Sequence, residues 1–220
     1  MNRFYEQKKF FQWTVALIML LVVGIIFYYW LELIQINLLA ILLLFLITPV
    51  AQFLISPIMK LTGAYKYLSP MLLVYSPSTS KYDLHNGTSF DYLFFFKRKS
   101  KGSAWQSKLL IYYLDGLLEV INELENNVIP ETIEIRGSSY FFSERTAQRL
   151  GFEIQETGFS EKFNIIINYL DLFWMYSLSK GKIHFPKLKD IKTATTTGQR
   201  LKEKKPELLK LRTYLINRSL

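Results

Sequence analysis

A basic, glycine-containing loop ahead of a long helical pattern is the segment of this chain best suited to bind an anion. Residues 97–102 read KRKSKG, and the helical pattern that follows runs to about Asn127. The first N–H groups of a helix lack partners within the helix, and the helix dipole adds positive potential beside them. The pattern therefore predicts a diphosphate site, with an ordinary basic turn as the alternative. The candidate residues are Lys99, Lys101, Gly102, Ser103 and Ala104.

A second group of polar residues surrounds one of the two histidines of the chain. His85 lies close in sequence to Asp83, Ser89 and Asp91, in a segment that reads DLHNGTSFDY. An imidazole beside a carboxylate is suited to general base catalysis, because its ordinary pKa lies near neutral pH. The sequence thus offers His85 or Asp91 as a base. A hairpin turn at Asn86-Gly87 is the alternative interpretation.

Two further features of the sequence bear on ligand and metal binding. Residues 136–140 (RGSSY) follow a predicted strand, and they either approach a ligand or form a bulged strand end. The sequence predicts no metal site, because it has no cysteine and because His85 and His184 lie far apart without acids at ligand spacing.

Two short motifs resemble the GNAT superfamily of N-acyltransferases. Residues 99–104 (KSKGSA) are similar to the loop Gln/Arg-x-x-Gly-x-Gly/Ala, which holds the diphosphate of acetyl-CoA in that family. Residues 149–152 (RLGF) are similar to the later signature Tyr-x-Lys-Leu-Gly-Phe, although Ala147 stands where the family often has its general-acid tyrosine. The resemblance covers about residues 90–169.

The resemblance implies an N-acyltransferase that uses acetyl-CoA or another acyl-CoA, with His85 or Asp91 deprotonating the acceptor amine. It also implies that the strand before residue 97 and the strand starting at Thr132 are parallel neighbours that splay apart, leaving a slot above Gly102. The alternative function is a non-catalytic interaction module that docks a protein partner or anionic lipid through its basic surface.

Two uncharged apolar runs near the N-terminus predict a transmembrane hairpin, residues 1–60. Trp13–Leu31 and Leu38–Met59 are each long enough to cross a bilayer, which takes about 20 residues as a helix. A helical hairpin buried in a soluble protein is the alternative. Lys and Arg flank both runs on their outer sides, whereas residues 32–37 between them carry no basic residue. The positive-inside rule therefore places both termini in the cytoplasm of what we interpret as a bacterial inner-membrane protein.

Residues 71–179 predict a cytoplasmic α+β domain, with a mixed sheet, one long helix and one short helix. The long helix covers about 103–127, and the short one starts at Ser143 and ends at Leu150-Gly151. The residues before 71 read as an interfacial linker. The predicted strands are Met71–Tyr75, Lys81–Leu84, Phe90–Phe96, Thr132–Ile135, Phe152–Gln155 and Phe163–Tyr169.

Residues 180–220 predict a basic C-terminal tail. Its Lys and Arg outnumber its Asp and Glu by nine, which equals the net charge of +9 of the whole chain. Residues 193–198 (TATTTG) predict a flexible joint, and Glu203–Leu215 predicts a basic amphipathic helix. The tail either contacts anionic lipid or remains solvated. Nucleic acid is disfavoured because the tail has few aromatic residues for stacking.

Overall fold

The computed structural model describes residues 2–95, 102–138, 144–186 and 192–219. This part of the chain forms an α+β fold in which two long apolar helices precede a mixed sheet. The helices are α1 (Lys9–Ile36), α2 (Leu44–Leu61), α3 (Ser89–Phe95), α4 (Ser103–Glu125), α5 (Glu144–Arg149), α6 (Phe159–Ile167), α7 (Tyr169–Lys180), α8 (Gly198–Glu203) and α9 (Lys205–Ser219). The strands are β1 (Tyr65–Ser69), β2 (Leu72–Tyr75), β3 (Lys81–Asn86), β4 (Glu134–Ser138), β5 (Glu153–Glu156) and β6 (Lys192–Thr197).

The two N-terminal helices are long and apolar enough to span a membrane. A 3₁₀ segment, Leu38–Leu43, leads directly into α2, and α1 and α2 pack against each other. Only 17% and 11% of the residues in their most apolar stretches are buried. A hairpin in the core of a soluble protein would hide these side chains, so the exposed surface disfavours that alternative.

The strand order is β1-β2-β3-β4-β6-β5. β3 and β4 run parallel, with Lys81 opposite Glu134 and Leu84 opposite Gly137, whereas the other neighbouring strands are antiparallel. The expected parallel pair, formed by the strand before residue 97 and the strand at Thr132, was wrong, because residues 90–95 are helical. The parallel neighbour of β4 is instead β3, which ends at Asn86.

Two predicted strands are helices in the structure. Phe90–Phe95 belongs to α3, and Phe96 lies outside the described residues. Residues 163–169 lie in α6 and at the start of α7. Both segments are short apolar runs, and such runs have no period that separates a buried strand from a buried helix.

The segment before residue 71 and the predicted joint are strands rather than connections. Residues 60–70 contain β1, whose strand begins four residues after α2 ends. Residues 193–197 belong to β6, which pairs with β4 on one side and β5 on the other. The Thr-rich sequence TATTT suits a strand, because β-branched residues favour extended backbone. The two segments thus supply β1 at one edge of the sheet and β6 between β4 and β5.

The basic C-terminal residues are packed onto the domain. Leu201, Leu208 and Leu215 join the hydrophobic core, and α9 packs against α4. Five basic side chains pair with carboxylates from elements before residue 180, which leaves less charge for lipid than an unpaired tail would offer. These pairs are Lys192–Glu144, Arg200–Glu153, Lys202–Glu131, Lys205–Glu125 and Arg212–Asp115.

The long helix α4 is the centre of the core and confirms the predicted helix. Its buried face packs against β1, β2, α7, α8 and α9. It also carries Glu123, which accepts hydrogen bonds from Lys66 Nζ at 2.6 Å and from Tyr82 Oη at 2.8 Å. A charge removed from water requires close partners, and the partners of Glu123 come from β1 and β3. The carboxylate therefore ties these two strands to α4.

Candidate functional site

A cavity of about 320 Å³ opens where the parallel strands β3 and β4 end. One wall is formed by the end of β3 and the residues that follow it, Asp83–Ser89, together with Arg136 and Gly137 of β4. Helices α2, α6 and α7 supply the other walls. In sheets with parallel strands, ligands bind at the carboxyl ends where neighbouring connections diverge. The predicted RGSSY segment contributes to this site through its first two residues, while residues 139 and 140 lie outside the described residues.

Three stacked rings form one side of the cavity. Tyr65, Tyr75 and His85 come from β1, β2 and β3 respectively. The two tyrosine rings are 4.5 Å apart between centroids, and the Tyr75 and His85 rings are stacked 3.8 Å apart with nearly parallel planes. Because each ring is carried by a paired strand, the stack fixes the orientation of the imidazole at the cavity wall.

His85 is held in its neutral form. Burial lowers its pKa from 6.5 to about 4, with Arg136 and Lys81 lowering it further and Asp83 opposing them. Within the part of the chain that the structure describes, no hydrogen bond reaches either imidazole nitrogen. The lone pair of a neutral imidazole is therefore available to a group bound in the cavity.

The second predicted base, Asp91, has a different environment. It is fully buried in α3 and accepts hydrogen bonds from the backbone N–H and the hydroxyl of Thr88, both at 2.9 Å, and from Tyr67 Oη at 2.6 Å. Asn2 Nδ2 donates a further bond at 3.3 Å. Burial raises the pKa of Asp91, and these donors oppose that shift. Asp91 does not line the cavity, so its geometry favours a structural role at the start of α3.

A different carboxylate, Asp171 of α7, lines the cavity instead. It is 7% exposed and accepts a hydrogen bond from Trp174 Nε1 at 2.8 Å. Burial raises its pKa, opposed by Trp174 and by the Ser89 hydroxyl. Asp171 was not among the predicted site residues, because it lies just beyond the predicted strand Phe163–Tyr169 and away from any polar cluster in the sequence. The available signal was a single acid inside the long apolar stretch from residue 163 to 176.

The predicted diphosphate site lies apart from the cavity wall. Gly102 has a positive φ of +65° and precedes α4, and Ser103 and Ala104 are exposed in its first turn. Lys99 and Lys101 lie outside the described residues. A side chain at Gly102 would have its Cβ 3.6 Å from the backbone oxygen of Lys180, the last residue of α7. Gly102 therefore lies beside the end of the helix whose first turn carries Asp171.

The chain matches no protein-family model, no curated protein and no solved structure. Among the described residues, no group of three His, Asp or Glu side chains is placed to hold a metal ion. What the site does must therefore be inferred from the cavity and the residues around it.

The depressed pKa of His85 makes stability depend on pH. The unfolded chain binds this proton near pH 6.5 and the folded chain only near 4, so the unfolded state holds more protons between these values. We expect the free energy of unfolding to fall by up to about 3 kcal/mol as the pH drops through this range. Chemical denaturation at a series of pH values measures this dependence.

The control for the pH dependence is His85→Gln, which keeps an uncharged polar side chain but cannot titrate. Asp91 and Asp171 have raised pKa values and give the opposite slope, but they are present in both proteins. The difference between wild type and variant therefore isolates the imidazole. Parallel curves for the two proteins would contradict a neutral His85 with a lowered pKa in the folded state.

Proposed function

We propose that this chain is a membrane-anchored, acyl-CoA-dependent N-acyltransferase. The observation that supports this most is the position of a neutral, oriented imidazole in a cavity at the carboxyl ends of β3 and β4. The same cavity carries the carboxylate of Asp171, so one wall can attract an ammonium group while another can accept a proton.

Acyl transfer assigns distinct tasks to the two side chains. Asp171 attracts the acceptor as an ammonium ion and holds it in the cavity, where it loses a first proton to solvent water and becomes a neutral, nucleophilic amine. A bound acyl-CoA supplies a thioester, whose C–S bond breaks as the amine nitrogen forms the new C–N bond. His85 accepts the second proton, which this nitrogen loses after attack, and returns it to the departing thiolate. A weak base is sufficient, because nitrogen becomes much more acidic once it is bonded to the carbonyl carbon.

The start of α4 fits the diphosphate of CoA in position and in chemistry. Ser103 and Ala104 are exposed, and among the described residues no side chain caps the start of α4, so its first N–H groups can donate to an anion. Helix α7 links this point to the cavity. Asp171 and Lys180 lie about 14 Å apart along its axis, a span of the order of a pantetheine arm.

The two apolar helices provide the membrane anchor in this proposal. Lys and Arg on the outer flanks of the hairpin support a cytoplasmic position for both termini and for the domain, at the inner face of the plasma membrane. The domain begins four residues after α2 ends, so the cavity is held next to the bilayer.

Acetyl-CoA binding to the detergent-solubilised full chain tests the proposal. We expect calorimetry to detect binding to wild type and a loss of at least about tenfold in affinity for Gly102→Trp, because the indole would cover the first N–H groups of α4. The matched control is Gly63→Trp, at another glycine with positive φ and open space around it. Absence of binding, or equal affinities in the two variants, would contradict the proposed function.

A further inference from the structure

Polar residues on α2 recur at every fourth position. The helix is otherwise apolar from Leu44 to Leu61, and its polar residues are Thr48, Gln52, Ser56 and Lys60. Residues four apart lie on the same face of a helix, so these side chains form a stripe along α2. A polar stripe on a helix that otherwise faces lipid is costly unless it serves a cavity or a partner.

The middle of this stripe is a wall of the cavity. Gln52 and Ser56 both line it, together with Asp171 and the three stacked rings. Ser56 donates to the backbone oxygen of Gln52 at 2.6 Å. Across the described residues, the Gln52 amide forms no side-chain hydrogen bond, so its donors and acceptor are available to a ligand.

The depth of these residues points to a ligand in the bilayer. Ser56 and Gln52 lie about 8 Å and about 14 Å from the domain end of α2 along the helix axis. If α2 spans a membrane, the cavity wall extends from the headgroup region into the outer part of the hydrocarbon. A water-soluble acceptor would not need a wall at this depth.

We propose that the acceptor is a lipid with a primary-amine headgroup, which enters the cavity along the Gln52 and Ser56 face of α2 while its acyl chains remain in the bilayer. This inference rests on the proposed N-acyltransferase function and names its substrate class. Asp171 attracts the ammonium group, and the Gln52 amide binds polar atoms of the headgroup.

The test uses the full chain in phosphatidylcholine vesicles with radiolabelled acetyl-CoA. One arm contains phosphatidylethanolamine as a minor lipid, and the other supplies glycerophosphoethanolamine, which has the same headgroup without acyl chains, at the same total concentration. We expect transfer to the lipid to exceed transfer to the soluble amine at least about tenfold.

Two tryptophan variants on α2 test whether the lipid enters the cavity along the Gln52 and Ser56 face. Gln52→Trp is expected to lower transfer to phosphatidylethanolamine at least about tenfold, because the indole fills the cavity wall. The matched control Val50→Trp replaces an exposed side chain on the same helix and should leave transfer unchanged. Circular dichroism and gel filtration confirm that both variants are folded.

The outcomes separate this inference from the function on which it rests. Equal transfer to the soluble amine, or equal activity in the two variants, would overturn the lipid acceptor while leaving an N-acyltransferase in place. Absence of acetyl-CoA binding, together with absence of transfer to either amine, would overturn both.

Discussion

Replacing His85 with alanine is expected to lower the rate of acyl transfer by about 100-fold or more, with acetyl-CoA affinity unchanged. The imidazole is neutral and oriented by Tyr75, and it faces the cavity in which the amine would bind. Its removal leaves the attacking nitrogen without a proton acceptor but leaves the start of α4 intact. The measurement is kcat from thiol release, with calorimetry for affinity.

The second histidine of the chain provides the matched control. His184 lies near Tyr176 and does not line the cavity, so His184→Ala should retain wild-type kcat. Imidazole added to His85→Ala should restore part of the rate, which a purely structural role would not allow. Equal losses in the two variants, or wild-type kcat in His85→Ala, would rule out His85 as the base.

Trp105→Ala is expected to lower the free energy of unfolding by about 3–5 kcal/mol. Trp105 is fully buried in the first turns of α4 and packs edge-to-face against Tyr92 of α3. Tyr92 makes the same kind of contact with Trp174, which donates to Asp171. The loss therefore combines a large cavity with weakened packing between three helices. Urea denaturation in detergent, followed by circular dichroism, measures it.

The control for this loss is Trp13→Ala on α1. Trp13 is 38% exposed and lies outside the core of the domain, so its removal should change the stability by much less. If Trp105→Ala unfolds at the same urea concentration as wild type, the packing of α3, α4 and α7 is not the source of domain stability.

The sequence predicted the elements whose pattern has a clear period. The long helix α4, the short helix before Gly151 and the strands β2 to β5 occur close to their predicted positions. Gly151 has a φ of +86°, as expected for a helix that ends in a left-handed residue. Patterns of this kind depend on local backbone preferences, which are visible in the chain itself.

The predictions that failed depended on contacts distant in sequence. The aromatic run of α3 is a helix whose Phe90 packs between Phe4 and Phe53, both distant in sequence. The Thr88–Asp91 cap at its start is a local signal that the strand prediction did not use. Residues 193–197 are a strand because β4 and β5 lie on either side of them. No local pattern reports such neighbours.

The candidate site also combines features that the local sequence shows with features that depend on contacts distant in sequence. His85 was recognised from its polar neighbours, but its low pKa arises from burial against strands that only the folded sheet brings together. Asp171 follows a segment that was interpreted as a strand, and Gln52 comes from a predicted membrane span. Their convergence on one cavity depends on the packing of α2 against α7.

The position of β6 determines when this domain can finish folding during synthesis. β4 and β5 are not neighbours in the sheet, and the strand that lies between them begins at residue 192. While the ribosome is still producing that strand, the nascent chain exposes an unpaired edge at β4. The apolar hairpin leaves the exit tunnel long before this strand, so under the proposed membrane anchoring its insertion would precede closure of the sheet. A nascent chain tethered in this way would meet fewer copies of itself during the interval in which it is most prone to aggregate.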